Sequence, residues 1–188
     1  IKDMADDTDN PNIPFNFNET GQYYIKDVNN YLDNFVGTWE YVNGAEKFQI
    51  VLSKVIKYHV VYNDIKLNFY EDGIVLQYKK FVNNVLTFES PNYDNPNFDT
   101  TNGILLKGSL YDYGRISKTI YHPVTGLVWS PGGEPIYPEC VIEKVPNQLN
   151  KVTFKLQPSV LGHRGYDYDT YAGQPLYSLP NNIIMTKL

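Results

Sequence analysis

The chain has 188 residues, a formal net charge of −5, 15% aromatic residues and a single cysteine, Cys140. This aromatic content excludes a disordered protein, because disordered chains lack the apolar surface that offsets the entropy of folding. The lone cysteine excludes a disulfide scaffold and a cysteine-rich zinc site. No apolar run approaches the roughly 18 residues of a membrane-spanning helix, so we predict no transmembrane segment.

The negative charge is concentrated at the start of the chain. Residues 1–35 contain seven acidic and two basic side chains, whereas the remaining residues hold 14 of each kind. A nucleic-acid-binding protein needs a clustered basic surface, so this distribution argues against a nucleic-acid partner. Residues 1–20, which are rich in Asp, Asn and Pro without any periodicity, are predicted to form an extended or mobile acidic leader.

One amphipathic segment follows the leader. Thr20 and Gly21 precede it as candidate cap residues, and the pattern predicts a short helix over about 22–34. The apolar residues that fall at helical spacing are Tyr24, Ile25, Val28, Tyr31, Leu32 and Phe35.

From Gly37 to residue 89 the pattern is one of short strands and tight turns. Apolar and polar residues alternate, and the turn dipeptides between the runs are Asn43-Gly44, Asn63-Asp64, Asp72-Gly73 and Asn83-Asn84. Asn-Gly and Asp-Gly are favoured where turn residues need positive φ, so we predict φ above zero at Gly44 and Gly73. Strands at this spacing predict an antiparallel meander, which closes readily into an up-and-down barrel.

The second half of the chain is less regular. Residues 104–111 and 116–121 are predicted to form a strand pair, and two further strands are predicted around 151–156 and 183–188. Residues 90–103 form a polar loop, and residues 122–139 hold too much Pro and Gly for a central strand. No linker or repeat divides the chain, so residues 21–188 are predicted to be a single domain.

The start of the first predicted strand carries a family resemblance. Gly37-Thr38-Trp39, just after a short helix, resembles the G-x-W signature of the lipocalin (calycin) barrels. The run through Asn43-Gly44 is similar to an uncharacterised, lipocalin-like family of small exported proteins from Bacteroidota, particularly flavobacteria. The resemblance implies an all-β, antiparallel up-and-down barrel with one short N-terminal helix. It also implies an exported protein of the cell envelope, whether periplasmic, outer-membrane-associated or extracellular.

The same resemblance assigns roles to residues at one end of the barrel. Trp39 is expected to lie across the closed end, with the helix packed over it. Gly37 is expected to let the helix backbone approach the strand closely. Lipocalins usually cover this tryptophan with a basic side chain from a late strand. Since Arg115 and Arg164 are the only arginines and neither lies in the last strand, Lys187 is the residue assigned to that role.

Residues that could carry catalysis or bind a metal are scattered. No serine lies in a G-x-S-x-G context, and Cys140 precedes an apolar strand, which favours a buried structural thiol. Asp167 and Asp169 lie in a glycine-flanked loop but do not match an EF-hand, so a surface loop is favoured over a calcium site. The histidines, which show no metal-ligand spacing, are His59, His122 and His163. We therefore predict no enzyme, no catalytic residues, no metal and no cofactor.

Two functional hypotheses remain open. The first is a non-enzymatic, exported or envelope protein whose lipocalin-like barrel binds a small apolar ligand, although an interior dominated by aromatic side chains is equally consistent with a filled core. The second is an interaction subunit of an envelope protein complex that docks through its long loops, 90–103 and 122–139. The candidate ligand-binding residues inside the barrel are Trp39, Tyr41, Phe48, Ile50, Tyr58, Phe69 and Tyr78.

Overall fold

The computed structural model describes residues 2–3, 19–62, 66–89, 105–109, 112–119, 138–158, 170–171, 174–175 and 179–188. Most of these residues lie in β-strands, as the sequence predicts. In chain order the strands are β1 (Lys2–Asp3), β2 (Tyr24–Lys26), β3 (Gly37–Asn43), β4 (Glu46–Tyr62), β5 (Leu67–Val82), β6 (Val85–Glu89), β7 (Leu105–Ser109), β8 (Asp112–Thr119), β9 (Pro138–Lys144), β10 (Lys151–Pro158), β11 (Thr170–Tyr171), β12 (Gln174–Pro175) and β13 (Ile183–Lys187).

Eleven of the described strands form one sheet, and β11 pairs with β12 separately. The order in the sheet is β1-β2-β5-β4-β3-β13-β10-β9-β8-β7, and β6 pairs with β5 beside this path. The pairings of β1 with β2 and of β2 with β5 are parallel, and the other pairings in the sheet are antiparallel. The predicted last strand corresponds to β13, which lies between β3 and β10.

The predicted up-and-down barrel is not what the described strands form. Such a barrel needs a continuous ladder that joins the two ends of the sheet. Here the path ends at β7, which pairs with β5 at two positions, Ile74 with Leu106 and Val75 with Leu105. The same edge of β5 is occupied by β2 nearer its start and by β6 at its end. The sheet is therefore not closed into a barrel along its length.

Local turn signals predicted two of the hairpins correctly. Asn83 and Asn84 join β5 to β6 with φ of 51° and 63°, the positive values that a tight hairpin turn requires. Gly44 has a φ of 58°, as predicted, but the turn between β3 and β4 consists of Gly44 and Ala45 rather than Asn43 and Gly44, because Asn43 pairs with Glu46. The predicted turn at Asn63-Asp64 lies outside the described residues.

Replacing Gly44 with Val should destabilise the β3–β4 hairpin by about 1–2 kcal/mol, because a left-handed backbone brings Cβ too close to the following carbonyl oxygen. The expected loss of stability comes from backbone strain alone, because a Cβ on Gly44 would meet nothing within 4 Å. The measurement is urea denaturation of both proteins. Gly44→Asn is the matched control and should lose far less, because Asn tolerates this conformation. Equal losses in the two variants would contradict the prediction.

The predicted turn at Asp72-Gly73 is wrong. Both residues lie inside β5, where Gly73 pairs with Val55 of β4. Positive φ among the described glycines occurs at Gly21, Gly37 and Gly44. The irregularity lies instead in β4, whose register with β5 shifts between Val55 and Tyr58. Tertiary contacts of the Asp72 carboxylate, described below, override the local turn preference.

The predicted helix over 22–34 is also wrong. Residues Tyr24–Lys26 form β2, and only Tyr31–Asn34 form a single 3₁₀ turn. Asn30 has a φ of 56°, which prevents a helix from continuing through it. The described residues contain no helix with the length and hydropathy that a bilayer crossing requires.

The core lies on one face of the sheet and follows the predicted alternation. In β4, Phe48, Ile50 and Leu52 are at most 1% exposed, whereas Gln49 and Val51 between them are partly exposed. The 3₁₀ turn contributes Leu32, and Phe35 follows it into the same cluster. The far strands β9, β10 and β13 complete the cluster with the residues Cys140, Ile142, Val152, Phe154, Leu156, Ile183 and Met185.

Candidate ligand-binding interior

The seven candidate interior residues fall into two groups. Trp39, Phe48, Ile50 and Tyr78 belong to the main cluster, and Tyr41 is half-buried against it. The remaining two, Tyr58 and Phe69, form a separate smaller cluster with Val60. This smaller cluster lies beyond the register shift, where the β4–β5 pair extends past the main core. The seven residues therefore belong to two clusters, and Ile25 packs against both of them.

The main interior is packed with aromatic rings. Phe48 meets Phe154 edge to face with ring centroids 5.3 Å apart, and Tyr78 at 6.3 Å. Tyr78 stacks on Phe88 at 5.7 Å. Phe154 and Phe88 were not among the candidate residues. Both lie on predicted strands, and the alternation of apolar and polar residues in those strands indicates that their side chains face inward.

Trp39 seals one end of this interior. It is fully buried, and its Nε1 donates a hydrogen bond of 2.8 Å to the carbonyl of Phe35. Lys187, which pairs with Trp39 across the β3–β13 ladder, places its Nζ 5.3 Å from the centre of the indole. Lys144 of β9 places its Nζ 4.9 Å from the same ring. We call this end of the sheet, with the 3₁₀ turn beside it, the Trp39 end.

The role of Gly37 differs from the expected one. A Cβ on Gly37 would lie 2.8 Å from the Cε of Lys187, and Gly37 has a φ of 131°. The missing side chain therefore makes room for the lysine stem that crosses to Trp39. It is the side chain of Lys187, not a helix backbone, that approaches this glycine.

The opposite end of the interior is more open and more polar. Moving along the ladders from Trp39, the next inward row contains Tyr41, Phe48 and Lys80. Lys80 forms an ion pair of 2.6 Å with Glu46, and both side chains are partly exposed, at 22% and 33%. Phe88 is half-buried beside them. We call this end the hairpin end, because the β3–β4 and β5–β6 turns lie there.

Asp72 anchors the N-terminal part of the domain from a buried position. Its Oδ1 accepts hydrogen bonds from the Tyr24 hydroxyl and from the backbone N–H of Lys57 at 2.8 Å. Its Oδ2 accepts one from the N–H of Asp27 at 3.0 Å. Burial and the hydrogen bond to Asp72 raise the pKa of Tyr24 to about 12. Asp72 therefore ties β2 to the irregular part of β4.

A second buried carboxylate, that of Asp27, organises the 3₁₀ turn. Its oxygens accept the N–H groups of Tyr31 at 2.8 Å and Leu32 at 3.0 Å. Lys54 pairs with Asp27 at 3.0 Å and with Asp33 at 2.7 Å. Burial alone would lower the pKa of Lys54, but the hydrogen bonds and charges of Asp33 and Asp27 raise it above its ordinary value.

Stability should fall at alkaline pH through Tyr24. Because its pKa is raised from 10.0 to about 12 in the folded protein, the stabilisation is fully present below about pH 10 and is lost as the pH rises through about 12. Lys54 acts in the same direction. Denaturation of the wild type and Tyr24→Phe at several pH values between 8 and 11.5 measures this. The wild type should show the steeper decline, and parallel curves would refute the assignment.

The reactive side chains that the structure describes lie apart from one another. No group of three or more His, Cys, Asp or Glu side chains that could hold a metal occurs in the described part of the chain. Cys140 is buried in the core. His59 is exposed on the opposite face to Tyr58 and stacks on Tyr70 with centroids 4.4 Å apart. The remaining candidates lie outside the described side chains, namely Arg115, His122, His163, Arg164, Asp167, Asp169 and the two long loops.

These features define an antiparallel β protein with a packed aromatic core and one end sealed by a tryptophan. The model of the family described as "Family of unknown function (DUF6705)" matches residues 8–188, so the chain belongs to that family. No curated protein and no solved structure matches the chain.

Proposed function

We propose that the protein is a non-enzymatic, lipocalin-like binding protein that takes a small apolar ligand at the hairpin end of its interior. The observation that carries the proposal is the difference between the two ends. Trp39 is fully buried beneath two lysines, whereas Tyr41 and Phe88 are only half-buried. Half-buried aromatic rings beside an apolar core give a ligand apolar surface to contact and an entrance to the interior.

Several features support a lipocalin-like arrangement of the strands. β7, the last strand in the order of the sheet, pairs with β5 at Ile74 and Val75. β13 lies between β3 and β10 and so joins the two halves of the sheet. Lys187 lies over Trp39, as the resemblance to calycins implies. On the strength of that resemblance we extend the proposal to an exported protein of the cell envelope.

The ligand would have to displace side chains that already pack together. Phe88 stacks on Tyr78 and is the more exposed of the two, so it is the ring whose movement opens the interior. Beyond it lie Phe48 and Ile50, which are both fully buried and present only apolar surface. The Glu46–Lys80 pair at the rim gives the ligand polar neighbours without placing a charge in the core.

The proposal is tested with N-phenyl-1-naphthylamine, an uncharged probe whose fluorescence rises in apolar surroundings. We expect saturable binding to the wild type. Phe88→Asp should weaken it by about tenfold or more, because a carboxylate at the opening must lose water when an apolar molecule covers it. Leu86→Asp is the matched control, since Leu86 lies on the same strand and is 43% exposed. It should bind as the wild type does.

Two results would contradict the proposal. One is the absence of saturable probe binding by folded wild-type protein. The other is an equal loss in Phe88→Asp and Leu86→Asp, which would place the probe on the surface of β6. Circular dichroism spectra of all three proteins establish that each variant is folded.

A second candidate function is that of an interaction subunit. Val42, Lys47, Phe81 and Leu86 follow one row across the outer face at the hairpin end. Val42 and Leu86 are 58% and 43% exposed, and the Nζ of Lys47 lies 4.4 Å from the centre of the Phe81 ring. Exposed apolar side chains beside a lysine suit a protein partner. Native mass spectrometry of the protein purified from its source separates the two functions, because a small ligand and a protein partner add very different masses.

A further inference from the structure

Two lysines from separate strands share one indole ring at the Trp39 end. Lys144 is the last residue of β9, and Lys187 is the last residue of β13. Their Nζ atoms lie 4.9 Å and 5.3 Å from the centre of the Trp39 ring. Both ammonium groups therefore lie within 5.3 Å of the centre of one ring.

Neither lysine has a carboxylate partner among the described side chains. The ion pairs within 4.0 Å in that part of the chain use Lys54, Lys79 and Lys80. Burial, together with the positive charge of Lys187, lowers the pKa of Lys144. The two ammonium groups thus repel each other, and among the described residues the ring and neutral backbone carbonyls lie against them.

A neighbouring element lies against each lysine. The Nζ of Lys144 donates to the carbonyls of Leu149 at 2.8 Å and Asn34 at 3.2 Å. The stem of Lys187 passes over Gly37, whose missing side chain leaves room for it, and Lys187 itself is exposed. Two like charges beside one ring form an electropositive site that suits an anion.

We propose that Lys144 and Lys187 bind an oxyanion of the phosphate class at the Trp39 end. A doubly charged oxyanion would cancel the repulsion and would accept charge-assisted hydrogen bonds from both ammonium groups. Leu149, in the turn that supplies one of the carbonyls, is 88% exposed. The phosphate could therefore be free in solution or belong to a lipid headgroup. The site is at the other end of the core from the proposed apolar site and is independent of it.

The first arm of the test uses inorganic phosphate at constant ionic strength. Binding is followed by the change in Trp39 fluorescence in a Trp129→Phe background and by the shift in melting temperature. We expect saturable changes in the parent protein, a loss of at least about tenfold in affinity in Lys144→Met and Lys187→Met, and retention in Lys187→Arg. Lys79→Met is the control, because Lys79 is exposed and pairs with Glu89.

The second arm distinguishes the two sources of phosphate. Vesicles of phosphatidylglycerol are compared with vesicles of phosphatidylcholine in a sedimentation assay, with Leu149→Ser as an added variant. Sedimentation with the anionic vesicles alone, lost in Lys187→Met and Leu149→Ser, identifies a lipid headgroup. Phosphate binding without sedimentation identifies a free oxyanion. The proposal is overturned if neither phosphate nor anionic vesicles bind, or if Lys187→Met and Lys79→Met behave alike.

Discussion

Replacing Trp39 with Ala should lower the free energy of unfolding by about 3–5 kcal/mol, as for other large aromatic residues in protein cores. The side chain is fully buried, and it packs in the cluster that also contains Leu32 and Phe35. Its removal leaves a cavity, and it also leaves the Phe35 carbonyl without its hydrogen bond. In addition, Lys144 and Lys187 lose the ring that they share.

Urea denaturation followed by circular dichroism measures this loss without depending on tryptophan fluorescence. Val42→Ala is the matched control, because Val42 lies on the same strand and is 58% exposed. It should change the stability by no more than about 0.5 kcal/mol. A loss below about 1 kcal/mol for Trp39→Ala would mean that the residue does not hold the Trp39 end together.

The strands and their buried faces could be predicted from the sequence because strand periodicity is local. A residue's face is set by its position in an alternating run, so Phe48 and Ile50 were assigned inward without knowledge of their partners. The turn at Asn83-Asn84 was predicted for the same reason, since two asparagines at positive φ satisfy a tight hairpin on their own. Local chemistry and the final fold agree at these positions.

The errors lie where distant residues override local preference. Asp72-Gly73 has the composition of a turn, but Asp72 accepts hydrogen bonds from Tyr24, Asp27 and Lys57, which are 15 to 48 residues away. The predicted helix fails because Tyr24 and Ile25 pair with β5, more than 40 residues away, and Asn30 has a φ of 56° that no helix accommodates. Periodicity cannot reveal such contacts, because they depend on which strands become neighbours.

The candidate site was only partly predictable for a related reason. Lys187 could be assigned to Trp39 through the family resemblance, whereas Lys144 was not identified. Its position did carry a signal, because Cys140, Ile142 and Lys144 share one face of β9. Because lysine is unusual among core-facing residues of a strand, this position could be singled out from the sequence. Placing it beside Trp39, however, required the order β3-β13-β10-β9.

Replacing Asp72 with Ala should destabilise the protein by about 2–3 kcal/mol, because it removes the acceptor of one buried and two partly buried donors, and a buried donor without an acceptor costs about 1–3 kcal/mol. The donors are the backbone N–H groups of Asp27 and Lys57 and the hydroxyl of Tyr24. Asp72 itself is only 2% exposed, so water does not readily replace it. The loss should be centred on β2, whose amide hydrogens should exchange faster than those of β10.

Asp33→Ala is the matched control for this prediction. Asp33 is also an aspartate, but its side chain is 58% exposed, and its ion pair with Lys54 faces solvent. Exposed pairs of this kind contribute up to about 1 kcal/mol, so Asp33→Ala should remain close to the wild type. Urea denaturation gives the free energies, and hydrogen exchange gives the location. If Asp72→Ala loses no more than Asp33→Ala, or if exchange rises equally in β2 and β10, then Asp72 does not anchor the N-terminal segment to the sheet.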